Sequence, residues 1–116
     1  MVAEKAYDLA RKAGELALLR KANEVQILDL RKITSITDYF VICSGDADVQ
    51  VRAIAETIIE ELKEEDIKVW NVEGLDTGRW VLLDFVDVVV HVFLQEAREF
   101  YGLERLWGDA PTESIQ

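Results

Sequence analysis

Residues 80–93 read WVLLDFVDVVVHVF, and how this stretch divides decides the fold. The run is rich in valine and aromatic residues, which favour pleated strands over helices. It breaks around Val86 and Asp87 into two short strands, most simply a hairpin. Side chains alternate across a strand, so Trp80, Leu82 and Asp84 share one face, opposite Val81, Leu83 and Phe85. In the second strand Val89, His91 and Phe93 lie opposite Val88, Val90 and Val92. Both faces are therefore apolar, and a sheet of that kind needs cover on both sides.

Upstream, IKVWNV (67–72) alternates and reads as a strand, followed by a loop with two glycines at 73–79. Residues 48–65 place Val51, Ile54, Ala55, Ile58 and Leu62 on one helical stripe, with Asp46 or Asp48 as the expected N-cap. Residues 24–31 and 38–45 read as strands, joined by a polar-rich connector at 32–37. The first helix, 2–22, carries Val2, Ala6, Leu9, Ala13, Leu16 and Ala17 at helical spacing. The last, 95–107, turns Phe100, Leu103, Leu106 and Trp107 to its apolar side. The tail 109–116 has little to bury and is expected to be disordered.

The expected order is α-β-β-α-β-β-β-α. This is a single α/β (α+β) domain over residues 1–108, a mixed five-stranded sheet with three helices. The crossover through 48–65 implies some parallel pairing of right-handed connection. Three helices cannot readily cover both faces of five strands, so a partner or a second copy of the chain is expected to supply the rest.

Composition bounds the chemistry. The chain has 116 residues, half of them hydrophobic, which suits one domain with a real core. No apolar run is long enough to span a membrane, and the start lacks the pattern of a signal peptide. Cys43 is the only cysteine and His91 the only histidine, too few for a zinc site, and a cytoplasmic location is the simplest reading. The net charge of −10 disfavours direct nucleic-acid binding, which needs Lys and Arg, and favours a basic protein partner. The same acid would also serve solubility alone.

Candidate catalytic patterns are thin. CSGDADVQ (43–50) passes from a strand into a helix, where phosphates bind, but it has one glycine and no P-loop lysine. Asp46 and Asp48 would repel a phosphate in the absence of a metal. Metal-dependent nucleotidyl transfer needs converging carboxylates, and Asp84 and Asp87 are three apart across a turn, while Asp29 and Asp38 stand alone. His91 has no serine or cysteine nucleophile at a recognisable spacing, so it reads as a structural or binding residue. No cofactor or metal is expected. The large aromatics Tyr39, Trp80, Phe93, Tyr101 and Trp107 suit either a core or an interface, the kind of residue that dominates binding energy.

Several segments in order carry a resemblance: LDLRKITSITDYFVICSG (28–45), QVRAIAE (50–56), VEG (72–74), WVLLDF (80–85), DVVVHVF (87–93) and REFYGLERLWGDA (98–110). Together they resemble the ribosomal silencing factor family, also called the Iojap family, over nearly the whole chain. The resemblance implies a domain with the outline of nucleotidyltransferases but without their catalytic acids, hence no enzyme. It implies binding to the large ribosomal subunit through its fourteenth protein, a block on joining with the small subunit, lowered translation when nutrients are short, and homodimers. Carried onto this chain, the motif residues are Asp38, Tyr39, Trp80, Asp84, His91, Phe93, Arg98, Tyr101, Glu104 and Trp107, with Leu82 beside them on the strand.

The chain departs from the family pattern at three places. Ala47 stands where the family usually has a serine, Val49 where a basic residue is common, and Val86 where the hairpin has a glycine. The first two remove polar contacts from the start of a helix. The third puts a β-branched residue where a positive φ would be awkward. A large-subunit assembly factor and a divergent nucleotidyltransferase are the alternative functions.

Overall fold

The computed structural model describes residues 2–116; the side chain of Val2, placed above on the first helical stripe, lies outside the described part. The elements are α1 (Val2–Leu19), β1 (Asn23–Asp29), β2 (Tyr39–Gly45), α2 (Asp48–Glu64), β3 (Asn71–Glu73), β4 (Trp80–Asp84), β5 (Val88–Leu94), α3 (Gln95–Tyr101), α4 (Leu103–Leu106) and β6 (Thr112–Ile115). The strands form one sheet in the order β3-β4-β5-β2-β1-β6. β2 and β5 run parallel, and the other pairs are antiparallel. The sheet is thus mixed as expected, and the strand parallel to β2 is β5.

The sheet has six strands, not five, and the tail is not disordered. Residues 112–115 pair with Val25–Leu28 and cover what would be the open edge of β1. Ile115 is buried beside α1, where Gly14 leaves it room: a Cβ on Gly14 would stand 2.6 Å from Ile115 Cδ1. Glu113 is tied to the same helix by Tyr7 Oη at 2.6 Å and Arg11 at 2.7 Å. A single apolar residue in TESI gives no periodic signal, so the strand was invisible without the edge it completes.

α1 packs through alanines. Ala6, Ala10, Ala13 and Ala17 are all buried, and their small side chains let the helix approach the sheet closely, with Leu9 and Leu16 half-buried beside them. The helix closes with Lys21 at φ 60°, in the left-handed region, and Ala22 N–H donating back to the Ala17 carbonyl. α2 buries the predicted stripe, Val51, Ile54, Ala55, Ile58 and Leu62. Its N-cap is Ala47, without a side-chain cap, and not Asp46 or Asp48. The Gln50 side chain does the joining work instead. Its Oε1 accepts from Asp46 N–H, and its Nε2 donates to the Arg20 and Lys21 carbonyls at the end of α1.

The last helix breaks at Gly102 (φ 57°) into α3 and α4. The break splits its apolar stripe. Leu103 and Trp107 turn inward, while Phe100 and Leu106 are exposed. α1 and α2 cover one face of the sheet over Val41, Cys43, Val81, Leu83, Val90 and Val92. α3, α4 and the segment after them cover part of the other, over Leu28, Leu30, Ile42 and Phe93.

Candidate partner-binding face

The face turned away from α1 and α2 carries most of the residues singled out in the sequence. Strand register sets Trp80 opposite Phe93, Leu82 opposite His91 and Asp84 opposite Val89. Phe40 follows on β2, paired with Val89. The Trp80 ring lies 4.9 Å from Phe93 and 4.8 Å from Tyr101, centroid to centroid. Phe40 meets His91 edge-on at 4.5 Å and Trp107 at 5.7 Å.

His91 lies beneath this cluster, not on its surface. It is only 4% exposed, because Trp80 and Phe40 close over it. Trp80 Nε1–H donates to His91 Nδ1 at 3.1 Å. An acceptor at Nδ1 requires the lone pair there, which places the ring proton on Nε2 in the neutral form. Nε2 is buried and has no hydrogen-bond partner among the described residues. Burial holds the imidazole pKa down to about 3. The ring is therefore neutral at physiological pH and already committed to Trp80. Of the two roles the sequence left to His91, structural or binding, its burial and the bond from Trp80 place it among the structural residues.

The other candidate groups are occupied too. Burial pushes the Cys43 thiol up to about 12, so no thiolate forms. Asp84 Oδ1 accepts from Val86 N–H at 2.7 Å, and Asp29 holds Arg31 in a two-pronged pair that keeps its carboxyl below the usual range. Among the described residues, no three His, Cys, Asp or Glu side chains gather where a metal could bind.

The structure separates the candidate site residues. Trp80, Leu82 and Asp84 are half-buried on the face, Tyr101 is exposed beside Trp80, and Trp107 is half-buried against Phe40. Phe93 and His91 lie in the core beneath. Tyr39 faces the opposite way, into the core under α1, edge-on to Tyr7 at 5.8 Å. Asp38 stands half-buried at the start of β2, its N–H donating to the Asp87 carbonyl. Arg98 is buried and structural. It pairs with Glu104 at 2.9 Å, and donates to Ser44 Oγ and to the carbonyls of Asn23 and Glu24. Those carbonyls come free at a bulge in β1, where Glu24 has φ 44° and the register with β2 shifts.

Three exposed apolar residues were not anticipated on this face. Ile36, Trp70 and Val86 line a groove with Asp84 and Val89, and Ile36 and Trp70 are 80% and 72% exposed. Trp70 was legible as a bulky residue in an alternating run. Ile36 sits in a polar connector and gave no signal.

This geometry is shared with known proteins. The family described as ribosomal silencing factor during starvation matches residues 3–116. The chain belongs to the ribosomal silencing factor family. The Ribosomal silencing factor RsfS of Bacillus subtilis is 49% identical over 96 residues, covering 83% of this chain and 81% of that one. A crystal structure of a protein from Chromobacterium violaceum aligns with a TM-score of 0.82 at 37% identity, over 93% of this chain and 88% of that one. One from Bacillus halodurans aligns at 0.79 and 38% identity, over 97% of this chain and 99% of that one. The matching family is one of ribosomal silencing factors, not an enzyme family. Among the described residues no helix is long and apolar enough to cross a membrane.

Proposed function

We propose that this chain is a cytoplasmic translational repressor. It binds the large ribosomal subunit through the subunit's fourteenth protein and sterically blocks joining with the small subunit when nutrients are short. The observation that carries this reading is the open end of the outer sheet face. There a family member of ribosomal silencing factors leaves Ile36, Trp70, Val86, Leu82, Trp80 and Tyr101 reachable, beyond the cover of α3 and α4. An aromatic patch with a polar rim is what an interface centre needs. Blocking requires only about 800 Å² buried per partner, at a site the small subunit also uses. The net charge of −10 favours a basic ribosomal protein over bare RNA. Association should therefore slow with rising salt, more than dissociation quickens.

Off the ribosome, the same open face is proposed to pair with a second copy of the chain. Light scattering should then give about twice the 13.2 kDa chain mass at micromolar concentration. A monomer at every concentration would remove the dimer and leave the ribosome claim standing.

The direct test is sedimentation of the chain with purified subunits. Ile36→Glu and Trp70→Ala are the cleanest probes, since both side chains are mostly exposed and their loss should barely move a thermal melt. Together they should weaken large-subunit binding by at least about 2 kcal/mol. Trp80→Ala should weaken it as much, but also loosen the Phe93–His91–Tyr101 cluster. Unchanged binding by all three variants would place the ribosome contact elsewhere. Equal binding to mature and precursor subunits, with no effect on subunit joining, would favour an assembly role.

A further inference from the structure

The site lies on the other side of the sheet, so it is independent of the ribosomal reading. Between the start of α1, β1 and β6 is a cavity of about 470 Å³. Tyr7, Asp8, Asp29, Arg31, Tyr39 and Glu113 contribute its polar lining. A pocket of this size is in the range that holds a small ligand or one large side chain.

Tyr39 is the unusual member. The residue is 96% buried, being 4% exposed, and its hydroxyl has no hydrogen-bond partner among the described residues. That hydroxyl is not sealed in the core either, since His91 Nε2 is the one side-chain atom both fully buried and unpartnered there. A phenol hydroxyl left open in this way bonds water or a ligand. Here it opens onto the cavity that the residue lines. The surrounding charge is negative: Asp8, Asp29 and Glu113 against Arg31, with Arg11 reaching Glu113 from outside the cavity. The chain already shows which group suits such a wall. The Arg31 guanidinium rests 5.3 Å over the Tyr39 ring and is gripped by Asp29.

We propose that this cavity binds a second cationic group of amine or guanidinium type, held between the two tyrosines and the Asp8 and Glu113 carboxylates, with the Tyr39 hydroxyl accepting one of its N–H donors. The group is either the basic side chain of a protein or a free organic cation. Both present the same chemistry: a flat or compact cation, an aromatic wall, a carboxylate and one neutral acceptor. An anion would meet the Asp8 carboxylate and two more, Asp29 and Glu113, whose arginines are already engaged in pairing them.

The test is a titration of the full ¹⁵N-labelled chain with argininamide, followed by amide shifts. Saturable shifts should cluster at residues 7, 8, 27, 39 and 113. Tyr39→Phe should weaken binding about 5-fold by removing one hydrogen bond. It should leave the melting temperature unchanged, because the hydroxyl bonds nothing in the described chain. Asp8→Asn should weaken it as well, and neutral Nα-acetylcitrulline amide should not bind. A blocked Gly-Arg-Gly peptide binding more tightly than spermidine assigns the site to a protein side chain. The reverse order assigns it to a free cation. No saturable shift at millimolar argininamide would overturn the site. So would an equal response to Nα-acetylcitrulline amide, or a response that Tyr39→Phe leaves unaltered.

Discussion

The two faces of the sheet have nearly the same composition and different fates. Toward α1 and α2, Val41, Cys43, Val81, Leu83, Val90 and Val92 are sealed completely, because alanines on α1 and the aliphatic stripe of α2 lie flat against them. On the other face, cover stops part-way. α3, α4 and the segment to Ala110 close over Leu28, Leu30, Ile42 and Phe93, while Leu82 and Asp84 near the hairpin stay half-open. The difference comes from the helices available, not from the strands. On the proposed reading, stability and recognition are then separated by a single step along β4, from Leu83 to Leu82.

That step can be tested directly, and it carries the largest effect. Leu83 is wholly buried under the helices, so Leu83→Ala should cost about 3 kcal/mol in urea unfolding. Its neighbour Leu82 is half-buried on the outer face, so Leu82→Ala should cost about 1 kcal/mol or less. On the proposed reading the order reverses in large-subunit sedimentation, where Leu82→Ala weakens binding and a folded Leu83→Ala does not. Equal stability losses at the two positions would mean that the outer face is closed as tightly as the inner one.

His91 tests the covered half of the outer face. Its pKa falls from 6.5 to about 3 on folding. The unfolded chain then takes up a proton between those values and the folded chain does not. Stability is fully present above pH 6.5 and falls as pH drops toward 3. From pH 7.5 to pH 5 the loss from this one group should be about 2 kcal/mol. His91→Gln removes the titration while its amide oxygen can still accept from Trp80. Urea melts of both forms at the two pH values should therefore show a flatter slope for the variant. Equal slopes would mean that water reaches the imidazole and that Trp80 and Phe40 do not close over it.

Much of this was legible in the sequence. The hairpin at 80–93, both apolar strand faces and the α2 stripe follow from periods of 2 and 3.6, and the structure keeps them. What escaped depends on tertiary context. β6 needs an edge to complete and a notch at Gly14 for Ile115. The inward and outward turns of Leu103 and Phe100 depend on the break at Gly102, which a helical wheel drawn through 95–107 cannot show. Tyr39 and Phe40 are adjacent in one motif, yet the pleat sends one to the α1 side and the other to the open face. The motif could place both residues in β2 but not say which one a partner reaches.

Val86 joins the two faces at the hairpin tip, and it carries the smallest effect. It has φ 76°, where a β-branched side chain is strained. Asp87 N–H donates to the Phe85 carbonyl across it, a γ-turn. The surroundings hold it there: Asp84 Oδ1 takes its N–H, and Thr37 Oγ1 donates to its carbonyl at 3.0 Å. Strain of this kind costs about 1–3 kcal/mol, and glycine would relieve it while giving back part through its freer unfolded chain. Val86→Gly should therefore stabilise the chain by about 1 kcal/mol and raise its melting temperature by about 4 °C. The side chain is also exposed on the proposed interface groove, so the same change should remove apolar contact and modestly weaken large-subunit binding. A gain in stability joined to a loss in binding would show that the valine is kept for the surface it presents. A gain in stability with binding unchanged would move the interface off the hairpin tip, toward Trp80 and Tyr101.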